Sequence, residues 1–155
     1  MKIEEEIKQS SFKDEYQKLM INLLFTGKWI HNISAKHIKP FGLTNQQYNV
    51  LRILRGQKDH SISVNKISER MIDRMSNVSR LVDKLEHKKL VKRKVNINDR
   101  RQMNISISEK GIELVKEIEK KENELFSNFK ALSTKEAKIL NQLLDKLRTE
   151  LNHGN

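Results

Sequence analysis

The segment 76–86 begins with polar side chains that can hydrogen-bond to a partner at more than one atom. Asn77 carries an amide donor beside a carbonyl acceptor, the pattern that pairs bidentately with adenine, and the Arg80 guanidinium matches the two acceptors of guanine. Ser76 and Ser79 can donate to phosphate oxygens, which position a protein on a duplex without reading its sequence. These residue types together indicate an element that could read base edges.

Purely structural roles are the alternative for the same side chains. Ser76 would then cap a helix, and Arg80 would pair with Asp83 on the helix surface. Lys84 would pair with Glu86. For Ser76 the two roles are compatible. For the asparagine and the arginine we favour contact with DNA, because of the hairpin that the sequence predicts a few residues later.

A second polar cluster, Asp99-Arg100-Arg101, lies between two runs that alternate as strands do, about 91–97 and 102–107. The cluster would form the tip of a β-hairpin. An arginine on such a tip can enter a narrow minor groove, where the potential is most negative, and Asp99 could pair with it and hold the tip in shape. A solvated turn with an incidental ion pair is the weaker alternative, since the hairpin follows a helix pair directly.

The elements that must position these clusters are mainly helical. Apolar residues at three- and four-residue spacing predict a long first helix, about 11–37, and two helices from Ser108 to the end of the chain. Thr44 opens another helix through a T-x-x-Q capping box. A short strand follows, then a short helix over 64–71 that Ser63 can cap and, after a brief turn, a helix over about 75–88. Ser108 caps the first of the two C-terminal helices, and Ser133 and Glu136 form a capping box before the last one.

Two short helices joined by a tight turn and followed at once by a β-hairpin make a winged helix-turn-helix. The predicted fold is therefore mainly α with a small β-hairpin wing, and with N- and C-terminal dimerisation helices. We expect residues 1–155 to form a single domain, in which 11–37 and 108–152 dimerise and 44–107 form the DNA-binding lobe. The apolar stripes of the outer helices would be buried against each other or against a second copy.

Basic residues are concentrated in the middle third of the chain. Within a formal net charge of +11, residues 52–101 contribute 15 Lys or Arg against six Asp or Glu. Such a segment suits a polyanion, because neutralised phosphates release condensed counterions. We expect Lys84 and Lys92 to contact phosphates; a solvated basic surface is the alternative. The absence of Cys excludes disulfides and thiolate metal sites.

Five stretches resemble the multiple-antibiotic-resistance regulator (MarR) family. They read Ile67-Ser68-Glu69-Arg70, Val78-Ser79-Arg80-Leu81-Val82-Asp83-Lys84-Leu85-Glu86, Leu90-Val91-Lys92-Arg93, Asp99-Arg100-Arg101 and Ile107-Ser108-Glu109-Lys110-Gly111. The resemblance covers almost the whole chain and implies a homodimer, with recognition helices in successive major grooves and wings in the flanking minor grooves. It makes Arg101 the wing arginine and Asp99 its partner, and it makes the four polar residues of 76–80 the recognition-helix contacts.

The chain departs from the family pattern at two positions. Ile72 stands where a turn glycine is frequent, and Lys89 stands where a glycine often ends the recognition helix. Lys89 would then need a left-handed backbone, which an L residue adopts at a cost. The departures bear on local turn geometry and not on the predicted fold.

The resemblance also implies a small aromatic or phenolic effector, which four aromatic residues could surround. They are Phe25, Trp29, Phe41 and Tyr48. Their spacing fits an ordinary hydrophobic core equally well, and we favour the core. The histidines lack the i, i+4 spacing of metal-binding pairs, so neither a metal nor another cofactor is expected.

The sequence thus predicts a sequence-specific regulator that binds double-stranded DNA, a ligand-responsive repressor that binds a pseudo-palindromic operator as a homodimer. An effector-independent architectural or RNA-associated winged-helix protein is the alternative. An enzyme is not expected, because the sequence has no nucleophile elbow, phosphate-binding glycine loop or HExxH string. With no signal peptide and no transmembrane segment in the sequence, the expected location is cytoplasmic, without a membrane partner.

Overall fold

The computed structural model describes residues 1–57, 60–95 and 103–153, and the chain divides into two compact units, Met1–Ile118 and Glu119–Asn155. The elements in chain order are α1 (Ile3–Glu6), α2 (Glu15–Ile38), a 3₁₀ turn (Lys39–Phe41), α3 (Asn45–Arg55), β1 (Ile62–Ser63), α4 (Val64–Ser68), α5 (Val78–His87), β2 (Val91–Val95), β3 (Met103–Ile107), α6 (Glu109–Ser127), a second 3₁₀ turn (Asn128–Ala131) and α7 (Thr134–His153). The predicted class, mainly α with a small β wing, is confirmed.

Helix boundaries follow the capping side chains. The long helix was expected from residue 11 but begins at Glu15, because the Asp14 carboxylate accepts the Gln17 amide at 2.8 Å and caps it there. The predicted capping box at Thr44 is confirmed, with Gln47 N donating to the Thr44 hydroxyl at 3.2 Å. Helix α1 was not expected, since four residues are too few to show a helical period.

The three strands form one antiparallel sheet in the order β1-β3-β2. In the hairpin, Val91 lies opposite Ile107 and Val95 opposite Met103, so alternate residues face the same side. Ile105 at the centre of the sheet is fully buried, whereas Lys92 on β2 is exposed. The predicted strand residue Ile97 and the predicted tip cluster lie outside the described residues.

The core of the first unit is formed by apolar side chains from α3, α4, α5, the sheet and the first turns of α6. Its largest fully buried members are Leu51, Leu54, Ile67, Leu85, Ile105, Ile118, Val50, Val82 and Val115. Because α3 and α5 both contribute, the exposed side of α5 is fixed relative to a packed interior. The core thereby positions the candidate interface.

Hydrogen bonds of Ser108 stabilise the junction of α5, β2 and α6. Ser108 caps α6, as predicted, with its hydroxyl accepting from Gly111 N at 3.0 Å. The same hydroxyl donates to the carbonyl of Lys89 at 2.8 Å, and the Ser108 amide donates to the carbonyl of Leu90 at 3.0 Å. Lys89 has φ 61°, so the left-handed backbone that we expected there is confirmed.

Replacing Lys89 by glycine should therefore stabilise the protein. A left-handed backbone costs an L residue on the order of 1–2 kcal/mol, which glycine avoids. We expect Lys89→Gly to raise the free energy of unfolding by about 1 kcal/mol in a urea titration. Lys89→Ala is the matched control, because it removes the same side chain but keeps the Cβ; equal stability of the two variants would contradict the prediction.

The second unit holds the rest of α6, the second 3₁₀ turn and α7. The predicted capping box at the start of α7 is confirmed. Glu136 N donates to the Ser133 hydroxyl at 3.3 Å, and Ser133 N donates to the Glu136 carboxylate at 2.8 Å. Hydrogen bonds from Ser133 lower the pKa of Glu136. Across the described residues of both units, no helix is long and apolar enough to cross a membrane.

Candidate nucleic-acid interface

Helix α5 is strongly amphipathic, and its sides have different chemistry. Val78, Val82 and Leu85 are buried against the core. On the opposite side Arg80 and Lys84, spaced i, i+4, form an exposed basic stripe. A helix anchored on one side and basic on the other has the form that can lie against a phosphate backbone with its side chains in a groove.

The start of α5 differs from the prediction. The helix begins at Val78 and not near residue 75, and its cap is Asn77, whose Oδ1 accepts the amide of Arg80 at 3.1 Å. The alternative in which Ser76 caps the helix is therefore wrong. The Asn77 oxygen has a second lone pair and the amide nitrogen is a donor, so base contact by Asn77 is compatible with capping and stays a prediction.

The ion pairs that the sequence suggested on α5 are replaced by others. Asp83 and Glu86 both pair with Arg93 of β2, whose Nε lies 2.9 Å from the Glu86 carboxylate and whose Nη2 contacts Asp83. Within the described residues no carboxylate pairs with Arg80 or Lys84. Both cations therefore remain available to an external anion.

Arg93 also neutralises the two carboxylates of α5 that would otherwise repel DNA. We expect Arg93→Ala to lower the free energy of unfolding by about 1 kcal/mol, because these pairs are partly exposed. Affinity for any duplex should fall several-fold, since two uncompensated charges then flank the basic stripe. Lys94→Ala is the matched control, because Lys94 is an exposed cation of the same strand.

Thermal unfolding and a duplex-binding titration check this prediction. The melting temperature of Arg93→Ala should fall by about 2–4 °C, as expected for 1 kcal/mol in a chain of this size, while that of Lys94→Ala stays near wild type. Equal losses of stability in the two variants would show that the ion pairs do not connect β2 to α5.

The four aromatic residues considered for an effector site do not meet in one cavity. Tyr48 is 5% exposed within the core, with the Arg52 guanidinium 5.9 Å from its ring centroid. Phe41 packs against the same core, 6.4 Å from the His37 ring. These two have the core role that the sequence favoured. Phe25 and Trp29 lie elsewhere, on α2.

Phe25 and Trp29 line a pocket of about 170 Å³ between α1 and α2. Its walls are formed by Met1, Ile3, Glu6, Asn22, Phe25, Thr26 and Trp29. Helix α1 is attached to α2 by the buried side chain of Ile3 and by an ion pair of 2.6 Å between Glu4 and Lys18. Among the described side chains that line the pocket there is one carboxylate and no Lys, Arg or His. Phe25 and Trp29 were named from the sequence as possible lining residues, but α1, which forms the other wall of this pocket, was not predicted.

Sequence reasoning also missed polar residues in the turn before α5. Asp73 accepts hydrogen bonds from Met75 N at 3.1 Å and from the Gln46 side chain at 3.4 Å. The Ser76 and Gln46 side chains lower the pKa of Asp73 by stabilising its carboxylate. Arg74 beside it is exposed and basic. A carboxylate two residues before an amide that needs an acceptor is an Asx-turn pattern, so Asp73 could have been noticed.

The other predicted contact residues that the structure describes lie at or near the surface. Ser79, Lys84 and Lys92 are exposed, and Ser76 is half-buried in the turn before α5. Asp99, Arg100 and Arg101 lie outside the described residues, and their roles at the wing stay predictions.

Comparison with known proteins decides the family. The family model described as MarR family matches residues 43–103, which include α3, α4, α5 and β2. The transcriptional repressor MprA of Escherichia coli strain K12 is 30% identical over 140 residues, covering 88% of this chain and 79% of its own length. The chain belongs to the MarR family. Members are transcription regulators that bind DNA as dimers, and not enzymes.

Solved structures of MarR-family proteins agree with this assignment. The Staphylococcus aureus MepR–DNA complex is 26% identical, with a TM-score of 0.74, and the match covers 90% of this chain and 99% of that one. The organohalide-sensing regulator RdhR, in its 2,4-dichlorophenol-bound form, has a TM-score of 0.78 over 92% of this chain and 86% of that one. At 18% identity RdhR supports the fold alone.

Proposed function

We propose that this MarR-family protein is a ligand-responsive repressor that binds a pseudo-palindromic operator as a homodimer in the cytoplasm. The observation that supports it most is the exposed stripe of Arg80 and Lys84, which no described carboxylate neutralises. Asn77 and Arg80 at the start of α5 would read base edges, and Ser76, Ser79, Lys84 and Lys92 would contact phosphates. Arg101, oriented by Asp99 and adjacent to Arg100, would enter the minor groove.

A second copy of the chain is the partner that suits the outer helices. Large apolar side chains are exposed on α2, namely Tyr16, Leu19, Met20 and Leu24, and on α7, namely Ile139, Leu140, Leu143 and Leu147. Such surfaces mark association sites. Residues 11–37 and 108–152 would dimerise, leaving 44–107 to bind DNA within a single domain of 1–155. Sedimentation should then give about twice 18.3 kDa.

The pocket between α1 and α2 is the candidate effector site. A cavity of about 150 Å³ accommodates benzene, so 170 Å³ suits one aromatic ring. Apolar side chains make up most of the lining and Glu6 supplies its one carboxylate, so an uncharged phenol is the effector that we expect. The bound form of RdhR shows that a relative in fold binds such a molecule, 2,4-dichlorophenol.

One titration tests repression and effector response together. A labelled duplex from the DNA upstream of the protein's own gene is titrated with protein. 2,4-Dichlorophenol is then added at a pH below the pKa of its hydroxyl group, so that it is uncharged. Trp29 is the single tryptophan of the chain, so its emission reports on the pocket directly. We expect tight binding of this duplex, weaker binding of a random duplex, and release of DNA with a parallel change in Trp29 emission.

The experiment tests sequence specificity and the location of the effector site separately. Equal affinity for upstream and random duplexes would favour the architectural alternative over a sequence-specific repressor. Release of DNA with unchanged Trp29 emission would place the effector outside this pocket. Phe25→Ala, which removes an aromatic wall of the pocket, should weaken the response to dichlorophenol and leave DNA binding without it unchanged.

A further inference from the structure

The turn between α4 and α5, residues 69–77, is fixed by the core at its two ends only. Met71 and Val78 are almost fully buried, whereas Ile72 and Met75 between them are 90% and 94% exposed. Apolar packing cannot position side chains that face solvent. The path of the chain into α5 must therefore depend on polar contacts, and this turn is longer than the tight turn that the sequence predicted.

Helix α3 supplies those contacts at two consecutive residues of the turn. The Asn49 side chain accepts the amide of Ile72 at 3.0 Å, and the Gln46 side chain donates to Asp73 Oδ2 at 3.4 Å. Gln46 and Asn49 are three residues apart, so they lie on the same side of α3. Helix α3 itself is anchored by buried Val50, Leu51 and Leu54 and is a rigid support.

Asp73 also forms hydrogen bonds with the residues just before α5. Its Oδ1 accepts the amide of Met75 at 3.1 Å, and its backbone carbonyl accepts the amide of Ser76 at 3.2 Å. Ser76 is followed directly by Asn77, the cap of α5. The single carboxylate of Asp73 thus connects α3 to the last residues before the helix.

We propose that Asp73 is a positioning residue that sets the start of α5 against α3 and thereby determines how well the protein distinguishes its operator from other DNA. The inference rests on the proposed role of α5 as the base-reading helix. Bidentate contacts from Asn77 and Arg80 require a defined geometry, whereas contacts between lysines and phosphates tolerate displacement. Loss of Asp73 should therefore reduce discrimination and not general affinity.

The experiment compares the affinities of wild type and five variants of the full-length protein for operator and random duplexes at fixed salt. Asp73→Ala should lower the ratio of the two affinities about tenfold, within the discrimination of one bidentate pair. Asp73→Asn should retain most of the ratio, because its oxygen still accepts the Met75 amide and the Gln46 amide can turn to accept from the new one. Gln46→Ala should give an intermediate loss.

Glu69→Ala is the matched control, since Glu69 is an exposed carboxylate at the start of the same turn, without a side-chain partner among the described residues. It removes the same charge, and its ratio should equal that of wild type. An unchanged ratio in Asp73→Ala, or an equal loss in Asp73→Asn, would overturn the proposal. Asp73→Ala should melt slightly below Glu69→Ala because it loses two hydrogen bonds, but both residues are at the surface and both variants should remain folded.

A further variant, Arg80→Ala, distinguishes failure of this proposal from failure of the proposed function on which it rests. If Arg80→Ala lowers the ratio while Asp73→Ala does not, α5 reads bases and Asp73 does not position it. If neither variant changes the ratio, the assignment of α5 as the base-reading helix is wrong, and the role of Asp73 is overturned with it.

Discussion

Gly111→Ala should be the most destabilising of the substitutions considered for this protein. Gly111 lies in the first turn of α6, and a Cβ added there would overlap the carbonyl oxygen of Leu90 and lie 2.8 Å from Cγ1 of Ile107. Backbone cannot move aside as a flexible side chain can. The same Leu90 carbonyl accepts the Ser108 amide, so relieving the clash would strain the junction between α5, β2 and α6.

We expect Gly111→Ala to lower the free energy of unfolding by about 2–3 kcal/mol, the upper part of the range for overpacking. Gly27→Ala is the matched control, because Gly27 lies inside α2, where an added Cβ would meet nothing within 4 Å apart from the local backbone of its own helix. It should raise stability by up to about 1 kcal/mol through helix propensity. Urea unfolding measures both variants, and equal stabilities would contradict the packing described at the junction.

Arg80→Ala should have the largest effect on DNA binding. Arg80 is exposed on the first turn of α5, and no described carboxylate pairs with it. A bidentate contact to guanine contributes about 1–3 kcal/mol, so affinity for the operator should fall by roughly 5- to 150-fold. Preference at one base pair of each half-site should relax at the same time.

Lys84→Ala is the matched control for Arg80→Ala. Lys84 is a cation one turn further along the same stripe, where we expect contact with a phosphate. Its loss should weaken binding to operator and random duplexes alike. The salt dependence of binding should become less steep, by the release of about one counterion. If the two variants lost affinity in the same manner on every duplex, neither residue would read bases.

Much of the fold could be predicted because capping residues and apolar periods are local signals. Thr44, Ser63, Ser108 and Ser133 each cap a helix where the sequence placed one. The start of α5 was misplaced because Asn77, and not an earlier residue, accepts the amide that begins the helix. Helix α1 was not predicted because it is held by the burial of Ile3 and has no repeating pattern of apolar residues.

The candidate site was predictable in its residue types and less so in its contacts. Exposure of Arg80 and Lys84 follows from their spacing relative to the buried residues of α5. The pairing of Asp83 and Glu86 with Arg93 does not, since it depends on the strand β2 that the fold brings against α5. The bond from Gln46 to Asp73 joins residues 27 positions apart, which no local pattern reveals.

We propose that α5 of each copy in a dimer reads one half of a DNA operator. Hydroxyl-radical footprinting of the DNA upstream of the protein's own gene, with wild type and Arg80→Ala side by side, tests it most directly. We predict two protected regions related by two-fold symmetry, with centres about 10 bp or a multiple of it apart, that disappear in the variant at the same protein concentration. Uniform protection, or protection that the variant retains unchanged, would contradict the claim.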